Sequence, residues 1–247
     1  MNKPYTVLAV ESSAGPASCA VLRVEEDRQI LLCEACTNTG LTHSQTLLPM
    51  ITDMLKNAAL SLADVNALAV AVGPGSFTGV RIGVAAVKGL AFPADLSCVA
   101  VSTLEGMAMR FTGVPFTGKI LTAMDARCKQ IYTATFGCEN GVVTRLTPDE
   151  ALPLTEVANR FATETAPVVV MGDGASLCYK FLKPTVPSVQ LAPVGLRFQH
   201  AVGIARAAVP LIEAGQTVSG ETLLPAYLRL PQAERELRLR QNISKEV

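Results

Sequence analysis

Two stretches decide how this sequence is read: Tyr5-Thr6-Val7-Leu8-Ala9-Val10-Glu11-Ser12-Ser13 and Lys119-Ile120-Leu121-Thr122-Ala123-Met124-Asp125-Ala126-Arg127. Each is an apolar, β-prone run that stops at a carboxylate followed by turn residues. Outward from the first, residues 18–24 and 29–35 are two more β-rich runs, which makes an antiparallel three-strand meander. Residues 43–58 then take helical spacing, with Leu47, Leu48, Ile51, Met54 and Leu55 on one side. A strand at 67–72, a helix at 77–91, a strand at 98–102 and a short helix at 104–110 follow. Outward from the second, strands at 130–136 and 142–146 complete another meander. A helix at 155–164, a strand at 168–171, a helix at 176–181, a strand at 189–191 and a long helix at 196–214 close the chain's folded part. Both halves read β-β-β-α-β-α-β-α.

An α/β chain with this duplicated order matches the two-lobed actin-like (ASKHA) fold of actins, sugar kinases and heat-shock ATPases, with mixed sheets in each lobe. The likeness is one of architecture and carries no activity by itself. It sets the expected lobes at residues 1–111 and 112–214, with the hinge at 112–118, where Pro115 and two glycines lie. Residues of about 215–231 are expected to pack back on the first lobe, and 232–247 to form a charged, solvated tail.

Composition narrows the function. Of 247 residues, 17% are charged and 49% hydrophobic, with 21 basic and 21 acidic side chains, two histidines and no tryptophan. Zero net charge argues against a protein whose main task is gripping nucleic acid, though RNA handled through a partner stays open. The longest apolar region, 67–101, is broken by Gly73-Pro74-Gly75, Arg81, Lys88 and Phe92-Pro93-Ala94-Asp95, short of the roughly 20 residues a bilayer needs. Lys3 and then Val7 to Val10 are too short for a signal-peptide core. A cytoplasmic protein without membrane contact is expected. Its seven cysteines then read as reduced thiols, and Cys33-x-x-Cys36, an isolated pair, reads as packing before redox or metal chemistry.

In an actin-like fold the first hairpins of the two lobes face each other. Here they are Glu11-Ser12-Ser13 and Asp125-Ala126-Arg127. Free N–H groups at such turns cradle anions, and a carboxylate can position hydrated magnesium. The alternative is a tight turn with local pairing of Asp125 and Arg127. Gly172-Asp173-Gly174, between a strand and a helix, offers Gly172 and Gly174 as backbone for a nucleotide's adenosine or ribose. His43 and His200 are too far apart in sequence to make a short-spaced metal pair, and no nucleophile is specified. No metal site and no catalytic residue are expected.

Gly73-Pro74-Gly75-Ser76-Phe77-Thr78-Gly79-Val80-Arg81-Ile82-Gly83 is the sharpest local signal. It lacks the Gly-Lys-Ser/Thr of a phosphate-binding loop. Ser76 suits an N-cap. Gly79, Gly83 and Ala86 form a small-residue stripe, and glycine inside a helix costs about 1 kcal/mol relative to alanine, so another backbone must come close. That backbone belongs either to this chain or to a partner. The helix at 43–58 is broadly apolar, and on the second reading the two helices make an interface through His43, Leu47, Leu48, Met50, Ile51, Met54, Phe77, Gly79, Val80, Gly83, Ala86 and Val87.

The same stretches resemble the TsaB (YeaZ-type) family, in the branch shared with TsaD. The likeness rests on Leu8 to Ser13, His43-Ser44-Gln45-x-Leu47-Leu48-Pro49-x-Ile51, the glycine stretch above, Lys88-Gly89-Leu90-Ala91, Asp125-Ala126-Arg127, Tyr132 and Pro225-x-Tyr227-Leu228-Arg229. It spans nearly the whole chain. The resemblance implies a non-catalytic subunit of tRNA threonylcarbamoyladenosine synthesis. Such a subunit forms a homodimer alone and a heterodimer with a TsaD-like enzyme, which transfers threonylcarbamoyl from its adenylate to the adenosine beside the anticodon. A TsaE-like ATPase assists, tRNA is met only indirectly, and nucleotide (ATP or ADP) with magnesium enters only in the complex. TsaD-like relatives hold a metal through His-x-x-x-His, whereas here the aligned stretch is Thr103-Leu104-Glu105-Gly106-Met107. That departure also removes a peptidase reading. The competing class is an independent ATPase or small-molecule kinase using the interlobe cleft.

Overall fold

The first meander forms as the alternation requires. In the computed structural model, which describes residues 3–26 and 28–229, β1 (Tyr5–Glu11), β2 (Ala17–Val24) and β3 (Gln29–Thr37) pair antiparallel, Leu8 opposite Val21 and Glu11 opposite Ser18. β4 (Ala67–Gly73) joins β1 in parallel, and β5 (Ser97–Ser102) joins β4. All seven residues of β4 are buried, which is why it reads as an unbroken apolar run. The sheet order is β3-β2-β1-β4-β5.

The second sheet repeats that order. β6 (Gly118–Asp125), β7 (Gln130–Glu139) and β8 (Val142–Arg145) pair antiparallel. β9 (Glu150–Pro153), absent from the sequence reading, pairs with the other half of the same β7 edge. β10 (Val168–Met171) and β11 (Val189–Leu191) add in parallel, giving β11-β10-β6-β7-β8. Strand for strand and direction for direction, the two sheets correspond. This is the two-lobed actin-like fold.

Helices cover both sheets. α1 (His43–Asn57) and α2 (Phe77–Ala91) lie on one face of the first, where Leu47, Ile51, Val80, Val84 and Val87 pack with Leu8, Val21 and Val70. α3 (Thr103–Ala108) sets Leu104 and Met107 against Ile120, Met124 and Phe136 of the second sheet. α4 (Leu154–Phe161) and α5 (Ala175–Leu182) cover that sheet's other face.

The single helix expected at 196–214 is two. A short α6 (Val194–Arg197) stops before Phe198, and α7 (Ala201–Glu213) begins afresh. His200, expected inside a long helix, instead caps α7: its Nδ1 accepts the Val202 N–H at 3.3 Å. Although α7 ends the second half in sequence, it lies on the first sheet, where Ala201, Ile204, Ala205 and Ala208 pack with Val7, Ala9, Val99 and Val101. Close approach is possible because its face is small; a Cβ at Gly203 would collide with the Gly106 carbonyl of α3. The segment after α7 also returns to the first lobe. Val218 bridges to Cys98, Leu223 is buried in the core, and the Ala226 N–H donates to the Val72 carbonyl at 2.8 Å. The expected tail at 232–247 lies outside the described residues.

Candidate functional site

Where the two sheets face each other, the carboxyl ends of β1 and β6 open into a cleft of about 530 Å³. Both hairpins line it, with the glycine turn before α2 and residues 226–229. Ligands of open α/β sheets collect at such strand ends.

The first hairpin is tied down from every side. Glu11, 1% exposed, accepts the Ser13 N–H on its carboxylate. Ser12 Oγ donates to the Gly79 carbonyl at 2.9 Å, and the Ser76 N–H donates to the Ser13 carbonyl at 2.7 Å. His43 Nε2, 2.7 Å from the Ala14 carbonyl, closes the turn from α1. Burial pushes the Glu11 carboxyl up to about 7, against the pull of its hydrogen bonds to Ser13, and nearby Asp173 raises it further. Among the described residues, its Oε2 and the Ser13 hydroxyl have no hydrogen-bond partner.

The second hairpin repeats the device. Asp125 accepts the Arg127 N–H at 2.8 Å, and the Arg127 guanidinium lies 3.9 Å from the same carboxylate. Arg127, Cys128 and Lys129 all take left-handed conformations (φ +65°, +53° and +59°), an uncommon run for residues with side chains. Asp173 stands between the hairpins; burial raises its carboxyl, although Gln199 Nε2 donates to it at 3.2 Å.

This geometry changes the reading of the phosphate cradle. The hairpins bring Ser13, Asp125 and Arg127 to one cleft, while Glu11 and Ser12 are buried and do not line it. Yet the N–H groups of Ser13 and Arg127, which an anion would need, already bind the chain's own carboxylates. Gly172 and Gly174 are not open backbone either. Their N–H groups donate to Arg197 and Ala123 carbonyls at 2.6 and 3.0 Å. At Gly172 (φ +111°) a Cβ would strike the Ala123 carbonyl. These glycines serve the close packing of a turn on the end of β6. Two carboxylates, Asp125 and Asp173, line the cleft that a phosphate would enter, while Glu11 is buried and does not line it. Among the described residues, no group of three or more His, Cys, Asp or Glu is arranged to hold a metal ion.

The family model described as TsaD, tRNA N6-adenosine threonylcarbamoyltransferase, matches residues 37–234. The tRNA threonylcarbamoyladenosine biosynthesis protein TsaB of Bacillus subtilis is 31% identical over 229 residues, 93% of this chain and 96% of its own length. The chain belongs to the TsaB (YeaZ) family. The TsaB protein of Escherichia coli is 34% identical over 188 residues, 76% of this chain and 80% of its own. The solved YeaZ structure from Pseudomonas aeruginosa superposes with a TM-score of 0.74 at 30% identity, covering 91% of this chain and all of the other.

For a TsaB-family chain, the helices expected to form an interface divide cleanly. Leu47, Ile51, Met54, Val80 and Val87 are buried in this chain's own core. Gly79 and Gly83 are buried too, and the backbone they admit is internal. A Cβ at Gly79 would run into the Ser12 carbonyl, and one at Gly83 into the Ser12 hydroxyl. The small-residue stripe therefore seats α2 on the first hairpin, which corrects its intermolecular reading. His43, Met50, Phe77 and Ala86 are half-buried, and Leu48 is 46% exposed. Outward on α2 stand Thr78, Arg81, Ala85 and Gly89, and just beyond it Phe92, 87% exposed. Phe77–Ala94 is apolar enough by length and composition to cross a membrane, yet it carries Arg81 and Lys88, and its inner face packs on β4. Only a third of it is buried.

Thr103 and Met107, which fall where the resemblance puts the relatives' metal ligands, are both buried, and Met107 packs in the core. All seven cysteines are free thiols. Cys33 and Cys36 sit three apart on one strand and so point to opposite faces. Burial pushes Cys19 and Cys178 up to about 12, which makes them poor nucleophiles.

Proposed function

We propose that this chain works in tRNA threonylcarbamoyladenosine synthesis as a non-catalytic subunit that binds a TsaD-like transferase through the outward face of α1 and α2. The carrying observation is that large apolar side chains stand outside the core here, Leu48 46% exposed on α1 and Phe92 87% exposed just after α2, while only a third of Phe77–Ala94 is buried within the chain. Buried interface cores are apolar in this way. The outward positions, Leu48, Thr78, Arg81, Ala85 and Phe92, replace the glycine stripe as the contact set. On this reading the TsaD-like subunit moves the threonylcarbamoyl group from its adenylate to the adenosine. This chain supplies buried apolar area that holds the enzyme's productive conformation. The same face makes the homodimer when the enzyme is absent, a TsaE-like ATPase joins the assembly, and tRNA is reached through TsaD.

The self-filled hairpins support the non-catalytic part, because a phosphate would have to displace carboxylates from their own N–H partners. The test is calorimetric titration of the chain with purified TsaD and, separately, with magnesium ATP. Leu48→Asp combined with Ala85→Arg should weaken TsaD binding at least 100-fold while leaving the melting temperature unchanged. Undiminished binding by that variant overturns the interface. Micromolar affinity of the isolated chain for magnesium ATP returns the cleft to the ATPase or kinase reading.

A further inference from the structure

We infer that residues 219–229 form a strap through which the outward face of α2 controls the mouth of the interlobe cleft. The strap has no helix or strand and is held by a short series of contacts. Lys88 Nζ donates to the Glu221 and Leu223 carbonyls at 3.0 and 3.2 Å, and Leu223 is buried. The Ala226 N–H is bonded to Val72, and Gly73 must be glycine because its Cβ would meet the Ala226 carbonyl. Upstream of 226, then, the strap is pinned to the first lobe.

Its last three described residues behave differently. Tyr227 lies against α2. Arg81 Nε donates to its hydroxyl at 2.7 Å, its ring centroid is 5.2 Å from that of Phe77, and the Arg81 guanidinium lies 3.7 Å above Phe77. Two residues on, Arg229 Nη1 donates to the Ala126 carbonyl of the second hairpin at 3.4 Å. Tyr227, Leu228 and Arg229 are also wall residues of the cleft. A single tripeptide thus links α2 of the first lobe to the hairpin of the second. Arg81 is the positioning residue, because it holds Tyr227 while standing exposed on the face that a partner covers. A subunit seated on α2 takes the Arg81 guanidinium, or buries it with Phe77, and so decides whether Tyr227 and Arg229 stay across the mouth.

This regulation rests on α2 being the partner face, and the experiment separates the two. Amide hydrogen exchange is followed in the full chain over 223–229 and 125–130, with β1 and β4 as the folding control. Arg81→Ala should speed exchange at 226–229 and at 125–130 by about tenfold and leave β1 and β4 unchanged. Tyr227→Phe, which keeps the stack and loses the hydroxyl, should give a smaller change of the same kind. Unchanged exchange at both segments in both variants overturns the strap. Adding purified TsaD should alter exchange at 226–229 in the unsubstituted chain. If TsaD protects α2 and the strap does not respond, the coupling fails and the partner reading stands. If TsaD protects elsewhere, the partner face fails, while the response to Arg81→Ala still decides whether the strap exists.

Discussion

The two hairpins that meet at the cleft use one local device under opposite burial. In each, the strand ends on a carboxylate that accepts the N–H two residues later: Glu11 from Ser13, Asp125 from Arg127. In each, glycines beside it let the hairpin settle, Gly79 and Gly83 inside α2 for the first, Gly172 and Gly174 in the turn between β10 and α5 for the second. The duplication therefore extends below the level of sheet order to the way each hairpin is buttressed. What differs is the surroundings. Glu11 is 1% exposed, whereas the Asp125 side chain is 37% exposed beside an Arg127 that is 86% exposed. Equal geometry meets unequal solvation, and burial raises the Glu11 carboxyl.

The largest effect comes from removing the buttress of the buried hairpin. Gly79→Val drives two methyl groups toward the Ser12 carbonyl, which cannot move without breaking the Ser12–Gly79 and Ser13–Ser76 contacts. Overpacking of this kind costs about 3 kcal/mol, and a backbone obstacle puts this site at the upper end. Urea unfolding should show it as a lowered midpoint with an unchanged slope. Gly83→Leu should act in the same way and for the same internal reason. A Gly79→Val chain of normal stability would mean that the hairpin and α2 are not in contact.

Next in size is the charge of the buried carboxylate. Glu11 ionises near 4.5 in an unfolded chain and at about 7 in the folded one. Below 4.5 both states hold the proton and nothing is lost. As pH rises from 4.5 to 7 the unfolded chain ionises first, so the native state loses on the order of 3 kcal/mol, complete above pH 7. Burial moves His200 downward, which works in the opposite direction as pH rises, so the variant difference is the useful quantity. Glu11→Gln should gain on the unsubstituted chain in urea midpoint as pH goes from 5 to 8. A constant difference across that range would show that Glu11 is ionised throughout.

Much of this was legible in the sequence, and the exceptions have physical reasons. The strands of both meanders, together with β4, β10 and β11, are short apolar runs fenced by turn residues. β9 is four residues, Glu150-Ala151-Leu152-Pro153, too short and mixed for any period to show. The break before α7 has no glycine or proline at 198–200 to mark it, since the cap is a histidine ring. The small residues of α7 announce a close neighbour without naming which sheet it is, and the neighbour turned out to be the other lobe's. The Gly79 and Gly83 stripe has the same ambiguity: spacing reports that a backbone approaches, and only the fold identifies it as Ser12. The hairpin residues were found because a carboxylate ends each first strand. That those carboxylates occupy their own N–H groups was not readable, because it depends on side-chain rotation within the turn.

The smallest effect expected is the one that sharpens the comparison most. Asp125→Asn keeps an oxygen for the Arg127 N–H and removes only the charge facing Arg127. That pair is solvent-exposed at 3.9 Å, and exposed pairs contribute about 0.2–1 kcal/mol, so the change in urea midpoint should fall within about 0.5 kcal/mol. Burial alone then separates two residues that share a hairpin position, a hydrogen-bond pattern and a glycine buttress. If Asp125→Asn instead costs about 3 kcal/mol or more, as breaking a buried pair does, the second hairpin is covered in solution as the first is, and the cleft is narrower than the exposure of Asp125 implies.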